Sequence, residues 1–173
     1  MRDLRLSSSL ACCIAACGLA MIPAAKAAIN GDVIGGGSCQ LSIPTTDTKF
    51  RPKATGARNE STTASSFVIC TLPHAKTTGS YKQVEIVFYS LDGVSRILSC
   101  TAVPGVLDNP DDPIRYSTRT ANAYDTNAYH QYFMWSAADF GGIYGDPIPG
   151  GFNNSVTCNL PPQTAINIII GWP

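Results

Sequence analysis

The sequence predicts an all-β chain, an antiparallel β-sandwich of immunoglobulin-like or jelly-roll-like type with two disulfides. Three observations carry this. Beyond residue 27 no segment sustains a helical apolar period; short apolar stretches alternate instead with Gly, Pro, Asn, Asp and Ser. An even number of cysteines, four, falls in that part of the chain. An apolar unit closing on Cys-x-Leu-Pro also occurs twice, as "FVICTLPHA" at 67–75 and "SVTCNLPPQ" at 155–163.

The first 27 residues are set aside as a secretory signal. "MRDLR" is basic, "LACCIAACGLAMI" is uncharged and apolar, and Ala25 and Ala27 stand at the small-residue positions before a cut. The apolar run is too short for a permanent membrane span. Cleavage is expected between Ala27 and Ala28, leaving 28–173 as a single domain of 146 residues. The alternative is a lipid anchor through Cys17, because "IAAC" at 14–17 resembles a lipobox, although the apolar run continues past that cysteine. Localisation is therefore secreted or periplasmic in the first reading and lipid-anchored in the second.

Without Arg2, Arg5, Lys26 and Asp3 the chain keeps 9 basic and 11 acidic side chains, a net charge of −2. That balance offers no basic field for nucleic acid and no polybasic stretch for a membrane surface. Cys12, Cys13 and Cys17 leave with the signal, while Cys39, Cys70, Cys100 and Cys158 remain. In an oxidising compartment these four predict two disulfides, of which three connectivities are open. No pair has the Cys-x-x-Cys spacing of a zinc site or redox dithiol.

Seven or eight strands account for the apolar stretches. "SFVICTL" is a nearly continuous run suited to a buried strand, and "YKQVEIVFYS" alternates, with Val84, Ile86 and Phe88 opposite Glu85. Asp-Gly at 92–93 then predicts a hairpin into "VSRILSCTAV". "RYSTRTANAYDTNA" is polar and holds at most a short strand, "YHQYFMW" is a further strand, and a Gly- and Pro-rich loop follows to about residue 154. In the closing "AINIIIGW" a period of two puts Ile166, Ile168, Ile170 and Trp172 on one face, opposite Asn167 and Ile169. Uneven strand and loop lengths argue against a closed barrel.

The repeated unit has a structural meaning. Val, Cys and Leu at i, i+2 and i+4 share one face of a strand, so Val68, Cys70 and Leu72 point inward, as do Val156, Cys158 and Leu160. The proline ends the ladder and turns the chain into a return strand.

These signals in this order resemble a family of small secreted bacterial disulfide-containing β-sandwich proteins of unknown function. The residues that carry the resemblance are Cys39, the Asn-x-Ser turn in "GARNES" at 56–61, "VICTLP", "LSCT" around Cys100 and the terminal "VTCNLP". The pattern covers most of 28–173, and the chain departs from it at Thr71, which intervenes before Leu72-Pro73. The resemblance implies secretion and a disulfide-bonded β-fold, and its motif order favours Cys39–Cys70 with Cys100–Cys158.

Catalytic signals are sparse. Neither a Gly-x-Ser-x-Gly elbow, nor a His-Glu-x-x-His pair, nor a phosphate-cradling glycine loop occurs. His74 follows the proline corner and His130 lies in an aromatic strand; a hydrolase or inhibitor would need one of them in a cleft beside a carboxylate. Asp108, Asp111 and Asp112 carry oxygen ligands, but their spacing is not an EF-hand loop and Pro110 and Pro113 fit a solvated turn. No cofactor or metal is assigned. The basic run Lys49, Arg51, Lys53 and Arg58 fits a polar connecting loop.

Residues 116–152 hold nine of the chain's fifteen aromatics, interleaved with Asn, Asp and Gln. Rings beside amides and carboxylates are what a sugar-binding face needs, and Tyr124, Tyr129, Trp135 and Tyr144 are the candidate ligand contacts. The competing reading has Phe133 and Trp135 filling the core while the tyrosines pack loops. The functional expectation is an exported, non-catalytic binding or envelope-associated module, with an extracellular or cell-wall glycan as the candidate partner.

Overall fold

The computed structural model describes residues 31–43, 49–73, 80–111, 113–150 and 154–173. The signal segment with Cys17, His74, Asp112 and Phe152 lies outside the described residues. Among those described, eleven strands form: β1 Asp32–Gly35, β2 Gln40–Leu41, β3 Phe50–Lys53, β4 Gly56–Asn59, β5 Ser66–Leu72, β6 Gln83–Ser90, β7 Arg96–Pro104, β8 Ser117–Ala123, β9 Tyr132–Ser136, β10 Asn154–Leu160 and β11 Thr164–Trp172. Two short 3₁₀ turns, Gly36–Ser38 and Ala137–Phe140, are the helical content of the described residues. All pairings are antiparallel. One sheet runs β3-β4-β11-β6-β9 with β1 also on β11, and the other runs β2-β5-β10-β7-β8.

The Cys-x-Leu-Pro repeat explains how the two sheets are joined. β5 and β10 are neighbours in the five-stranded sheet, with Val68 opposite Cys158 and Cys70 opposite Val156. Each leaves at its proline, Pro73 or Pro161, for a strand of the six-stranded sheet, and these return strands, β6 and β11, pair with one another. The chain thus uses one sheet-crossing unit twice, the two copies antiparallel to each other in both sheets. All six inward residues of the two copies are buried. Phe67 and Ile69, which made the first copy look apolar on both faces, point outward and are exposed.

The disulfides are Cys39–Cys70 and Cys100–Cys158; the second joins directly opposed residues of β10 and β7, and the first ties the residue before β2 to β5. Val84, Ile86 and Phe88 of β6, Phe133 and Trp135 of β9, and Leu98 of β7 meet these cysteines in the core. The area taken from water there is the main favourable term.

Three expectations are corrected. The Asp-Gly turn exists, with Asp92 accepting from the Val94 amide (3.0 Å), the Ser90 hydroxyl (3.0 Å) and Arg96 (2.7 Å). It is not a hairpin, because β6 and β7 lie in opposite sheets. Val84, Ile86 and Phe88 and the inward row of β7 all need the core, and crossing between layers gives both rows one. The basic run is not a loop: β3 and β4 form a hairpin in which Lys53 pairs with Glu60 and Arg58 donates to Thr55 Oγ1 (2.8 Å). Pro52 and the charges disguise it, and both suit an edge strand.

The third correction concerns β11. A bulge between Ile166 and Ile168 breaks the period of two, so Ile166 and Ile169 face the core while Ile168, Ile170 and Trp172 face outward. The bulge needs close backbone approach. A Cβ on Gly36 would sit 2.2 Å from the Ile166 carbonyl oxygen, and one on Gly56, whose φ is +120°, would sit 2.1 Å from it.

Tyr81, fully buried, ties β1 to the strand before it. Its single hydroxyl proton is shared between Asp32 Oδ2 (2.8 Å) and the Pro73 carbonyl (2.9 Å). Burial, and then the Asp32 carboxylate, push the phenol well above its ordinary value. Tyr81→Phe is expected to cost about 1 kcal/mol at neutral pH in denaturant titration. Below about pH 10 the phenol is protonated in both states and adds no pH dependence. Above it the unfolded chain releases a proton that the fold retains, so the wild type loses stability that the Phe variant keeps.

Candidate ligand-binding face

The β11 bulge decides which side chains line the outer face of the six-stranded sheet. Because Trp172 opposes Gln83, Ile170 opposes Glu85 and Ile168 opposes Val87, these six side chains share the outer face. β9 extends the rows with Ser136, Met134 and Tyr132 in the same order. The result is a grid of three strands by three residues, apolar except for Gln83, Glu85 and Ser136; Ile170, Val87 and Ser136 are buried within it, and Tyr132 is its most exposed member. Val33 of β1 adds to the middle row beside Ile170.

Two hydrogen bonds hold rings at this face. The Trp172 indole N–H donates to Glu85 Oε2 (3.2 Å), and Gln83 Nε2 donates to the Tyr144 hydroxyl (3.1 Å). Tyr144 is 67 % exposed and Tyr132 54 % exposed, while Trp172 and Glu85 are half-buried. Tyr132 and Trp172 stand two strands and four residues apart in the register, roughly 16 Å on a pleated sheet. Flat apolar area with a carboxylate and an amide between the rings suits a ligand that is itself apolar on its faces and polar at its edges.

A second feature lies where edge strands β8 and β9 meet at the side of the sandwich. Here a recess of about 290 Å³ is lined by Phe88, Ala121, Asn122, Tyr124, His130, Gln131 and Tyr132. Gln131 is buried and shapes the turn, accepting from the Tyr124 amide (2.9 Å). His130 is not a strand residue; it stands in the turn before β9, exposed, with Nδ1 3.1 Å from Asp125 Oδ2. The Asn127 backbone N–H, and then His130, hold the Asp125 carboxyl below the usual carboxylate range. The lining offers no Ser, Thr or Cys side chain as a nucleophile.

The four sequence-predicted contacts are therefore dispersed. Tyr124 lines the recess, Tyr129 is exposed in the turn beside it, and Tyr144 stands at the sheet face. Trp135 is withdrawn from any surface role: it is wholly buried, its ring 5.8 Å from Phe133, which in turn lies 4.7 Å from Phe88. β9 alternates, so Tyr132 and Met134 face outward where Phe133 and Trp135 face in. Sequence reasoning missed Tyr132, Trp172, Gln83 and Glu85. The alternation in "YKQVEIVFYS" was the signal for the last two; Trp172 was hidden by the bulge.

Asp108 lines an open apolar recess with Val106, Leu107 and Ile114. Among the described residues no three His, Cys, Asp or Glu side chains gather as a metal site would need. No helix there is long and apolar enough to cross a membrane. Compared with protein-family models, curated proteins and solved structures, the chain matches none.

Proposed function

We propose that this protein is an exported, non-catalytic β-sandwich module that holds a glycan chain across the outer face of its six-stranded sheet. The observation that carries the reading is the trio Tyr132, Tyr144 and Trp172 with Glu85 and Gln83 among them. Sugar rings offer C–H faces to aromatic rings and hydroxyl edges to carboxylates and amides. The spacing of the rings favours an extended oligosaccharide over a single sugar. Two buried disulfides and a signal-like first segment support an oxidising destination, the periplasm or the medium.

Co-sedimentation with insoluble peptidoglycan, chitin and cellulose tests this. Binding to one of them is expected, weakened at least roughly tenfold by Trp172→Ala and by Tyr132→Ala, with the near-ultraviolet circular dichroism of the buried rings retained. Binding unchanged by both substitutions would reject this face. A second reading, a hydrolase centred on His130, draws support from the Asp125–His130 pair at the recess. With no Ser, Thr or Cys in the lining, water activated by His130 would be the attacking group, and turnover of a glycan abolished by His130→Ala would establish it over the first.

A further inference from the structure

The five-stranded sheet ends on β8, and we propose that this edge pairs antiparallel with β8 of a second copy of the chain, joining two sandwiches into one ten-stranded sheet. A free edge is a row of unpaired amides and carbonyls, and folds blunt such edges with prolines, charges or brevity. The other edges follow that rule: β3 carries Pro52 between Arg51 and Lys53, β2 is two residues long, β1 begins on Asp32 and ends on glycine, and five-residue β9 is cut off by a 3₁₀ turn. β8 does not. Its seven residues, "STRTANA", contain no proline, glycine or lysine and pair with β7 without a register shift.

The sequence around β8 selects a second copy as the occupant. With the two-fold axis at Thr120, Thr120 faces its own counterpart, Thr118 faces Asn122 and Arg119 faces Ala121. The strand's one charge thus meets a methyl group, and Arg119 is already balanced within its own chain by Asp139 (2.7 Å). Thr–Thr and Thr–Asn pairs continue the hydroxyl ladder that begins with Thr101 on Thr118 (2.7 Å) and Thr120 on Ser99 (3.3 Å). One residue beyond each end of β8 stand Tyr116 and Tyr124, 69 % and 59 % exposed. They are equidistant from Thr120, so the same register sets Tyr116 of one copy against Tyr124 of the other at both ends of the junction.

Sedimentation equilibrium of the signal-free protein tests the pairing. Twice the monomer mass is expected. Thr120→Lys and Thr120→Glu each place like charges opposite one another and are expected to give monomers, while their equimolar mixture restores the dimer; Thr120 is exposed, so both variants keep the wild-type circular dichroism. Tyr116→Ala and Tyr124→Ala are each expected to weaken association, with the double variant little weaker than either. A monomeric wild type at the highest soluble concentration, a dimer indifferent to both charges, or additive tyrosine losses would overturn the proposal.

Discussion

Replacing Cys100 and Cys158 together by alanine is expected to lower the unfolding free energy of the domain by about 4 kcal/mol in guanidinium titration. The bridge closes a separation of 58 residues, so its absence enlarges the unfolded ensemble more than loss of Cys39–Cys70, whose separation is 31. The native state is expected to survive, because β7 and β10 remain paired from Asn154↔Pro104 to Asn159↔Ser99. Removal of the other bridge acts differently. β2 pairs with β5 at two positions alone, so the Cys39–Cys70 double alanine variant is expected to open locally around Gln40 and Leu41 before the domain unfolds. Hydrogen exchange distinguishes the two. A loss below about 1 kcal/mol for the Cys100/Cys158 variant would mean that the unfolded chain is already restrained by other means.

Much of this architecture was legible because it rests on period-two patterns with one dry face. Val68, Cys70 and Leu72, their counterparts Val156, Cys158 and Leu160, and the row Val84, Ile86 and Phe88 all point where alternation puts them. Where the pattern failed, a non-local cause took over. Nothing between residues 164 and 172 announces a bulge at Asn167; the room for it comes from Gly36 and Gly56, over a hundred residues away. An Asp-Gly turn specifies a sharp reversal and not the sheet that receives the next strand. That choice belongs to the core.

The candidate face was harder to see for the same reason. Aromatic density pointed to residues 116–152, but density does not distinguish a ring that fills the core, such as Trp135, from its outward neighbour Tyr132. Alternation along β9 does so only once its register against β6 is known. Trp172 lies outside the dense segment altogether and joins Tyr144 through Gln83, its partner across the β11–β6 ladder. Sites assembled from three strands are properties of pairing, which a single sequence records weakly.

Asn59→Ala is expected to destabilise the domain by about 3 kcal/mol, since two motifs that the sequence keeps apart meet at this side chain. Asn59 is fully buried; its amide donates to the carbonyls of Ala64 (2.8 Å), Leu160 (3.0 Å) and Pro161 (3.1 Å), and its Oδ1 accepts from the Ser61 amide (3.1 Å). The Asn-x-Ser turn thus clasps the proline corner that follows the second Cys-x-Leu-Pro unit. Gln163 completes the clasp from the corner side, its φ of 53° held while its side-chain amide donates to the Glu60 carbonyl (2.9 Å). Alanine leaves buried carbonyls without a donor, the cost that dominates such truncations. Asn59→Asp separates this cause from simple loss of packing. A carboxylate there would face carbonyl oxygens in a dry site, so the fold holds its proton more tightly than the unfolded chain does, raising its pKa above about 3.9. The folded state then carries the extra proton, and stability is retained below about pH 4 and falls as the pH rises through the gap between the two values. At neutral pH the aspartate variant is expected to be less stable than the alanine one, and at pH 4 the order narrows or reverses relative to wild type. Denaturant midpoints at the two pH values measure this, and equal losses at both would mean that the amide donors are not what holds the corner.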